Sequence, residues 1–259
     1  MWWRLKPALT TVIGPRFAAI AGILLVWVLI HSVADPVWLP SLGAVFNRVV
    51  ALWGNGQIES ALGESLGELG AGYLVILLIG GSLGAAMASS STVDEALRVY
   101  VDAFLFLPPI VFAPIFISLF GVTSNALVAM IASFGVSVLA SHVKVAMRGS
   151  DARLKEMARS FGASPAQVLI LIVMRQALPE IFAGLTTSLA RAVKGMIIGE
   201  LIVTSIGLGG LENEFDTRFD AIGIWSITFV IVGLALLLTT LLEVANRAVN
   251  AWAYGGHTS

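Results

Sequence analysis

Cysteine is absent from the 259 residues, and only 12% of them carry charge. Without cysteine there is no disulfide framework, no thiolate metal site and no cysteine nucleophile. The three histidines, His31, His142 and His257, are scattered, which argues against a metal cluster. No G-x-x-x-x-G-K-[ST], G-x-S-x-G or H-E-x-x-H occurs, so the chain lacks the local motifs of a nucleotide-hydrolysing loop, a nucleophile elbow and a zinc protease. With a formal net charge of -1 there is no global basic field for nucleic acid.

Apolar residues fill the space that charge leaves: 58% of the chain is hydrophobic and the mean hydropathy is +0.92. A soluble domain carries about a quarter charged residues. One or two soluble domains fit the length, as do about six spans of about 20 residues, and only the spans explain the missing charge. The stretches Phe17 to Ala34, Leu69 to Val93, Ala103 to Val143 and Ala221 to Leu242 contain no Asp, Glu, Lys or Arg. The third would reach about 60 Å as one helix, twice the hydrocarbon core, so it folds back, with Gly121 to Asn125 as the turn. A further apolar segment, Glu180 to Thr204, is interrupted by Arg191, Lys194 and Glu200. Continuous rather than alternating runs favour helices over a barrel. The fold expected is an all-α membrane protein of six transmembrane helices in one domain spanning 1–259. The spans fall near 17–34, 66–90, 99–119, 125–147, 180–203 and 221–245.

Charge sets the orientation. With both termini in the cytoplasm, that side holds Arg4, Lys6, Arg16, Arg98, Lys144, Arg148, Arg153, Lys155, Arg159, Arg175 and Arg247, and the other side only Arg48 and Arg218. This obeys the positive-inside rule and places the loop 148–179 in the cytoplasm. A cleaved signal peptide ending near Ser32-Val-Ala34 is an alternative for the first span, but five spans follow it, and an uncleaved anchor is the simpler account.

The loop 148–179 reads as two short helices at an angle. Ser150 or Asp151 caps the first, Gly162 suits a left-handed stop, and Ser164-Pro165 supplies a cap and a first-turn proline for the second. A short charged helix with small Ala158 suits insertion into a groove on a cytoplasmic partner; a plain solvated connection is the other reading.

At these residues the chain resembles the permease subunits of bacterial ATP-binding-cassette importers. Their loop signature is Glu-Ala-Ala, three residues, Gly, nine residues, Ile, one residue, Leu-Pro. Glu156, Ala158, Gly162 and Ile172 fall at its positions, whereas Met157 stands for the middle Ala and Met174-Arg175 for Leu-Pro. With the signature proline displaced, Pro179 is expected to break the helix before the fifth span. The resemblance is greatest to nitrate, sulfonate and taurine importer permeases. It runs through Leu66 to Gly84 with Tyr73, Leu107-Pro-Pro109 with Pro114, and Glu200 with Ile206-Gly-Leu-Gly-Gly210.

This resemblance implies a type I importer bundle that is not an enzyme and holds no cofactor, with ATP bound by a partner subunit. It implies that Glu156, Met157, Ala158, Gly162 and Ile172 form the loop that couples to that ATPase. The implied partners are two ATPase copies, an extracytoplasmic solute-binding protein and a second permease copy, in the bacterial inner membrane.

The candidate substrate path rests on Arg191 and Lys194, which lie about 18 to 22 Å along the fifth span from Pro179 and share one helical face. Charges at that depth face a cavity or a partner. Two readings stand: an anion site in the path, or an ion pair with Glu64 or Glu68. Glu200, half a turn round, is a helix contact or an outer gate. Pro108 and Pro109 break the third span, as a cavity wall or a simple kink. The family's usual fifth-span Arg falls where Thr186 stands, so the substrate is expected only as a small solute, with sulfonate, taurine or nitrate ahead of a pyrimidine or vitamin precursor. A gradient-driven carrier and a non-transporting scaffold are the rival functions.

Overall fold

The structure is a computed structural model that describes residues 22–34, 36–203 and 206–249. Arg4, Lys6, Arg16, residues 17–21 of the first span and the side chain of Arg247 lie outside the described residues. Among the described residues all regular structure is helical. The elements are α1 (Gly22–Ala34), α2 (Leu42–Gly54), α3 (Gln57–Ser89), α4 (Ser91–Phe106), α5 (Ala113–Phe120), α6 (Ser124–Arg148), α7 (Ala152–Ser160), α8 (Pro165–Ile202), α9 (Gly207–Thr217) and α10 (Ala221–Val249). Helices α3, α6, α8 and the Ala221–Leu242 part of α10 are each long and apolar enough to cross a membrane.

Helix α6 is the axis of the bundle: 61% of its apolar window is buried, against 22–28% for the other three long helices. Its neighbours come close because glycines remove side chains at the crossings. A Cβ on Gly84 of α3 would lie 2.5 Å from the Ala140 carbonyl, and one on Gly199 of α8 would lie 2.4 Å from Leu127. Close approach of small residues is what holds helices together in a medium as apolar as their own side chains. Leu69, Ile76, Leu127, Ile131, Leu139 and Met196 form the resulting core. Helix α1 is fastened to the outer end of α10 by Trp27, which stacks edge-on to Trp225 at 4.3 Å and donates its indole N–H to the Pro40 carbonyl.

Two of the long helices extend beyond the hydrocarbon. At about 1.5 Å per residue, α3 is about 50 Å long and α8 about 57 Å. Glu59, Glu64 and Glu68 lie in the N-terminal part of α3, before its charge-free stretch. Each carries one wide π turn, Ile76–Gly80 in α3 and Leu169–Val173 in α8.

The third apolar segment departs from a single span. After α4 the chain bends by 103° at Leu107-Pro108, passes through the 3-10 turn Pro109–Phe112, and returns as α5. Proline explains the break, since neither Pro108 nor Pro109 has an N–H for the helix and each restricts the residue before it. Pro179 behaves differently: it lies inside continuous α8 and ends nothing. It removes one bond, to the Arg175 carbonyl, without breaking the helix.

Candidate functional site

The loop 148–179 is built as its caps demand. Asp151 accepts from the Arg153 N–H to start α7, Gly162 takes φ +81° to stop it, and Ser164 and Gln167 form a reciprocal capping box ahead of Pro165. Helix α7 projects from the bundle with no buried residue. Leu154, Met157 and Phe161, at i, i+3 and i+7, make an exposed apolar stripe, and Phe161 is 85% exposed. Glu156 is exposed beside the stripe, Ala158 is half-buried, Gly162 is exposed and Ile172 is half-buried where α8 leaves the loop.

Helix α8 presents two faces at mid-depth. Ala192, Val193, Gly195, Met196 and Gly199 pack inward on α6. Thr187, Arg191 and Lys194 lie on the opposite, exposed face. No ion pair reaches Arg191 or Lys194 among the described residues, and the acids named as candidate partners are not placed for one: Glu64 accepts from the Gly207 N–H at 2.8 Å. Eleven residues before Arg191, which returns to the same stripe, Glu180 Oε1 meets His142 Nδ1 of α6 at 2.7 Å. Gly184 makes room for that pair, since a Cβ there would lie 2.5 Å from His142 Cβ. The 3-10 turn that contains Pro109 packs against α8, and Pro108 is exposed at the bend.

At the outer end, Glu200 is buried and faces away from Arg191. Its Oε2 accepts from the Gly209 N–H at 2.8 Å, while Ser65 Oγ accepts from Leu208 N–H and Glu64 from Gly207 N–H. Three side chains from α3 and α8 thus satisfy the otherwise free N–H groups that open α9, and carboxylates there also meet the positive end of its dipole. The glycine run is required by this closeness: a Cβ on Gly207, whose φ is +72°, would lie 2.5 Å from Glu200 Oε1, and one on Gly209 would lie 2.6 Å from Glu200 Cβ. Beside the corner lies a cleft of about 580 Å³ lined by Ser60, Glu64, Gly207, Asn213, Glu214 and Thr217.

Residues 76–253 match the family model for the binding-protein-dependent transport system inner membrane component. The chain belongs to this family of transport permeases. The taurine transport system permease protein TauC of Escherichia coli is 28% identical over 96% of this chain and 92% of its own length. The riboflavin transport system permease protein RibX of Chloroflexus aurantiacus is 33% identical over 61% of this chain and 59% of its own. The same fold occurs in an inward-facing structure of the MetNI methionine ABC transporter, at a TM-score of 0.64 and 20% identity over 74% of this chain and 95% of that one.

Membership makes the permease an inner-membrane importer component and not an enzyme, and it brings two kinds of partner, an ATPase and a solute-binding protein. The gradient-driven carrier and the scaffold fall away with it. Two groupings in the permease were missed in its sequence. Glu64 and Ser65 meet the glycine run across 143 residues, and Asp94 meets Lys144 and Arg148 across 50 and 54. The glycine-dense run 206–210 signals close approach, but nothing local in it names the partner.

Proposed function

We propose that the permease moves a small anion, with a sulfonate such as taurine as the leading candidate, along the face of α8 that carries Arg191 and Lys194. The observation that carries this reading is the pair itself: two cations at mid-depth, exposed on one chain, with no acid beside them among the described residues. Lipid is a costly neighbour for such charges, whereas a water-filled path between two permease copies solvates them and attracts an anion. The taurine permease relative supports the same substrate class. The working assembly is two copies of this chain with two ATPase subunits, which bind the ATP, and one solute-binding protein. Both termini lie in the cytoplasm.

In this reading Glu156 to Gly162 dock on the ATPase, with Met157 and Ala158 at the contact and Ile172 fixing the exit into α8. Closure of the ATPase pair on ATP displaces α7, and continuous α8 carries the displacement to the path, shifting it from inward to outward access. Pro108 and Pro109 let the third segment wall the path as a bent pair. Glu200 holds the outer corner rather than the solute.

The test is uptake of radiolabelled taurine by proteoliposomes containing permease, ATPase and binding protein. Replacing Arg191 and Lys194 by Gln is expected to lower uptake about tenfold or more, as loss of charged contacts of about 1.5 kcal/mol or more requires, with ATPase assembly retained. Unchanged uptake removes the pair from the path. The riboflavin permease relative favours a second substrate, and labelled riboflavin is the matching arm: transport of riboflavin and not taurine replaces the anion reading.

A further inference from the structure

The cytoplasmic end of the bundle holds a charge cluster that neither the loop nor the path uses. Asp94 lies in the first turn of α4, behind the Ser90 cap, with a side chain only 10% exposed. Lys144 Nζ donates to its Oδ1 at 3.1 Å and Arg148 Nη1 to its Oδ2 at 2.8 Å. The second Arg148 nitrogen donates to the Met87 carbonyl at 2.7 Å. That carbonyl belongs to the last turn of α3, which has no helical partner for it. One acid and two bases therefore join the end of α3, the start of α4 and the last turn of α6.

A buried ion cluster is weak evidence of stability, because desolvation offsets attraction. Its position says more. Arg148 closes α6, and after Gly149-Ser150 comes Asp151, the cap of α7, whose N–H donates to Gln176 Oε1 of α8 at 2.8 Å. Further along α4, Tyr100, Val101 and Phe104 border an apolar cavity of about 380 Å³ whose far wall includes Ala132 and Val136 of α6. Val101 is nevertheless buried and Phe104 stacks on Phe112 at 4.9 Å, so the charge at the loop root is the polar part of what ties α4 to the bundle.

We propose that Asp94, Lys144 and Arg148 are positioning residues of the transport cycle, which make the α3–α4 hairpin follow the coupling helix α7. Without them the loop would still move α8, with which it is continuous, and would leave α4 behind. Coupling of this kind travels through packed or bonded elements with two arrangements, and single changes along it alter coupling about twofold to thirtyfold.

The experiment uses the full complex of permease, ATPase and binding protein, and the absence of native cysteine allows spin labels at chosen sites. One pair, Val99→Cys with Leu236→Cys, follows α4 against α10; a second, Arg153→Cys with Leu236→Cys, follows α7. All three positions are exposed. Distances are compared without nucleotide and after trapping with ATP and vanadate. In the parent both pairs are expected to shift; in Asp94→Asn the Arg153 shift persists and the Val99 shift falls about twofold or more. A Val99 shift of parental size in the variant, or none in the parent, overturns the proposal. So does loss of the Arg153 shift, which would make the cluster a docking element. Where Asp94→Asn yields no complex, Arg148→Gln, which leaves Asp94 paired with Lys144, is read by the same outcomes.

Discussion

Gly207 has two separate reasons to be glycine. Its φ of +72° is strained for any other residue, and the space a Cβ needs is taken by Glu200 and Ser65. Gly207→Ala is therefore expected to destabilise the permease by about 1–3 kcal/mol, read as a lower melting temperature in detergent, whereas Gly63→Ala, in mid-helix with nothing within 4 Å, is expected to stabilise it by about 0.4–1 kcal/mol. Equal melting of the two variants would show that the α9 corner carries no such strain. The glycine run entered the sequence reading only through the family resemblance, and Glu200 was not legible as its partner. Periodicity places a residue on a face of its own helix and says nothing of what another helix brings to it. The same limit kept the sequence from choosing between the two readings of Arg191 and Lys194.

At the scale of elements, the helix ends were the most legible features. Asp151, Gly162 and Ser164-Pro165 act as their chemistry dictates, because a cap is settled within four residues of chain. The path of the proline-containing helices was less so: the same residue type bends the chain by 103° at Pro108 and passes inside a straight run at Pro179. What differs is the neighbourhood, two consecutive prolines in one case and a single lost bond in the other. The loop helix itself yields a direct prediction. Its exposed Leu154, Met157 and Phe161 stripe and Glu156 are expected to hold the ATPase, so Glu156→Lys and Phe161→Ala should each lower recovery of the ATPase with the tagged permease from mild detergent, about tenfold or more if the contact is a hot spot. Full recovery in both, with the permease still in the membrane, would place the docking surface elsewhere.

For the whole molecule, the uneven distribution of Lys and Arg gives an orientation that labelling can check. A cysteine at Arg153 on α7 is expected to react with an impermeant maleimide only in inside-out vesicles, and one at exposed Arg218 beyond α9 only in right-side-out cells. The reverse pattern would invert the assignment and remove the loop from the ATPase side. Family membership adds an ATPase and a binding protein.

Hydropathy and continuous apolar runs by themselves pointed to an all-helical membrane chain, and the resemblance carried by the loop signature pointed to an importer permease, because each acts through neighbours along the chain or through a bulk medium. Only the tertiary structure decided which polar groups meet: Glu64, Ser65 and Glu200 on the opening turn of α9, and Asp94 on Lys144 and Arg148. Those pairings depend on how closely and at what angle the helices cross. That is set by glycine contacts between residues tens of positions apart, where a single Cβ would push the helices out of reach of one another.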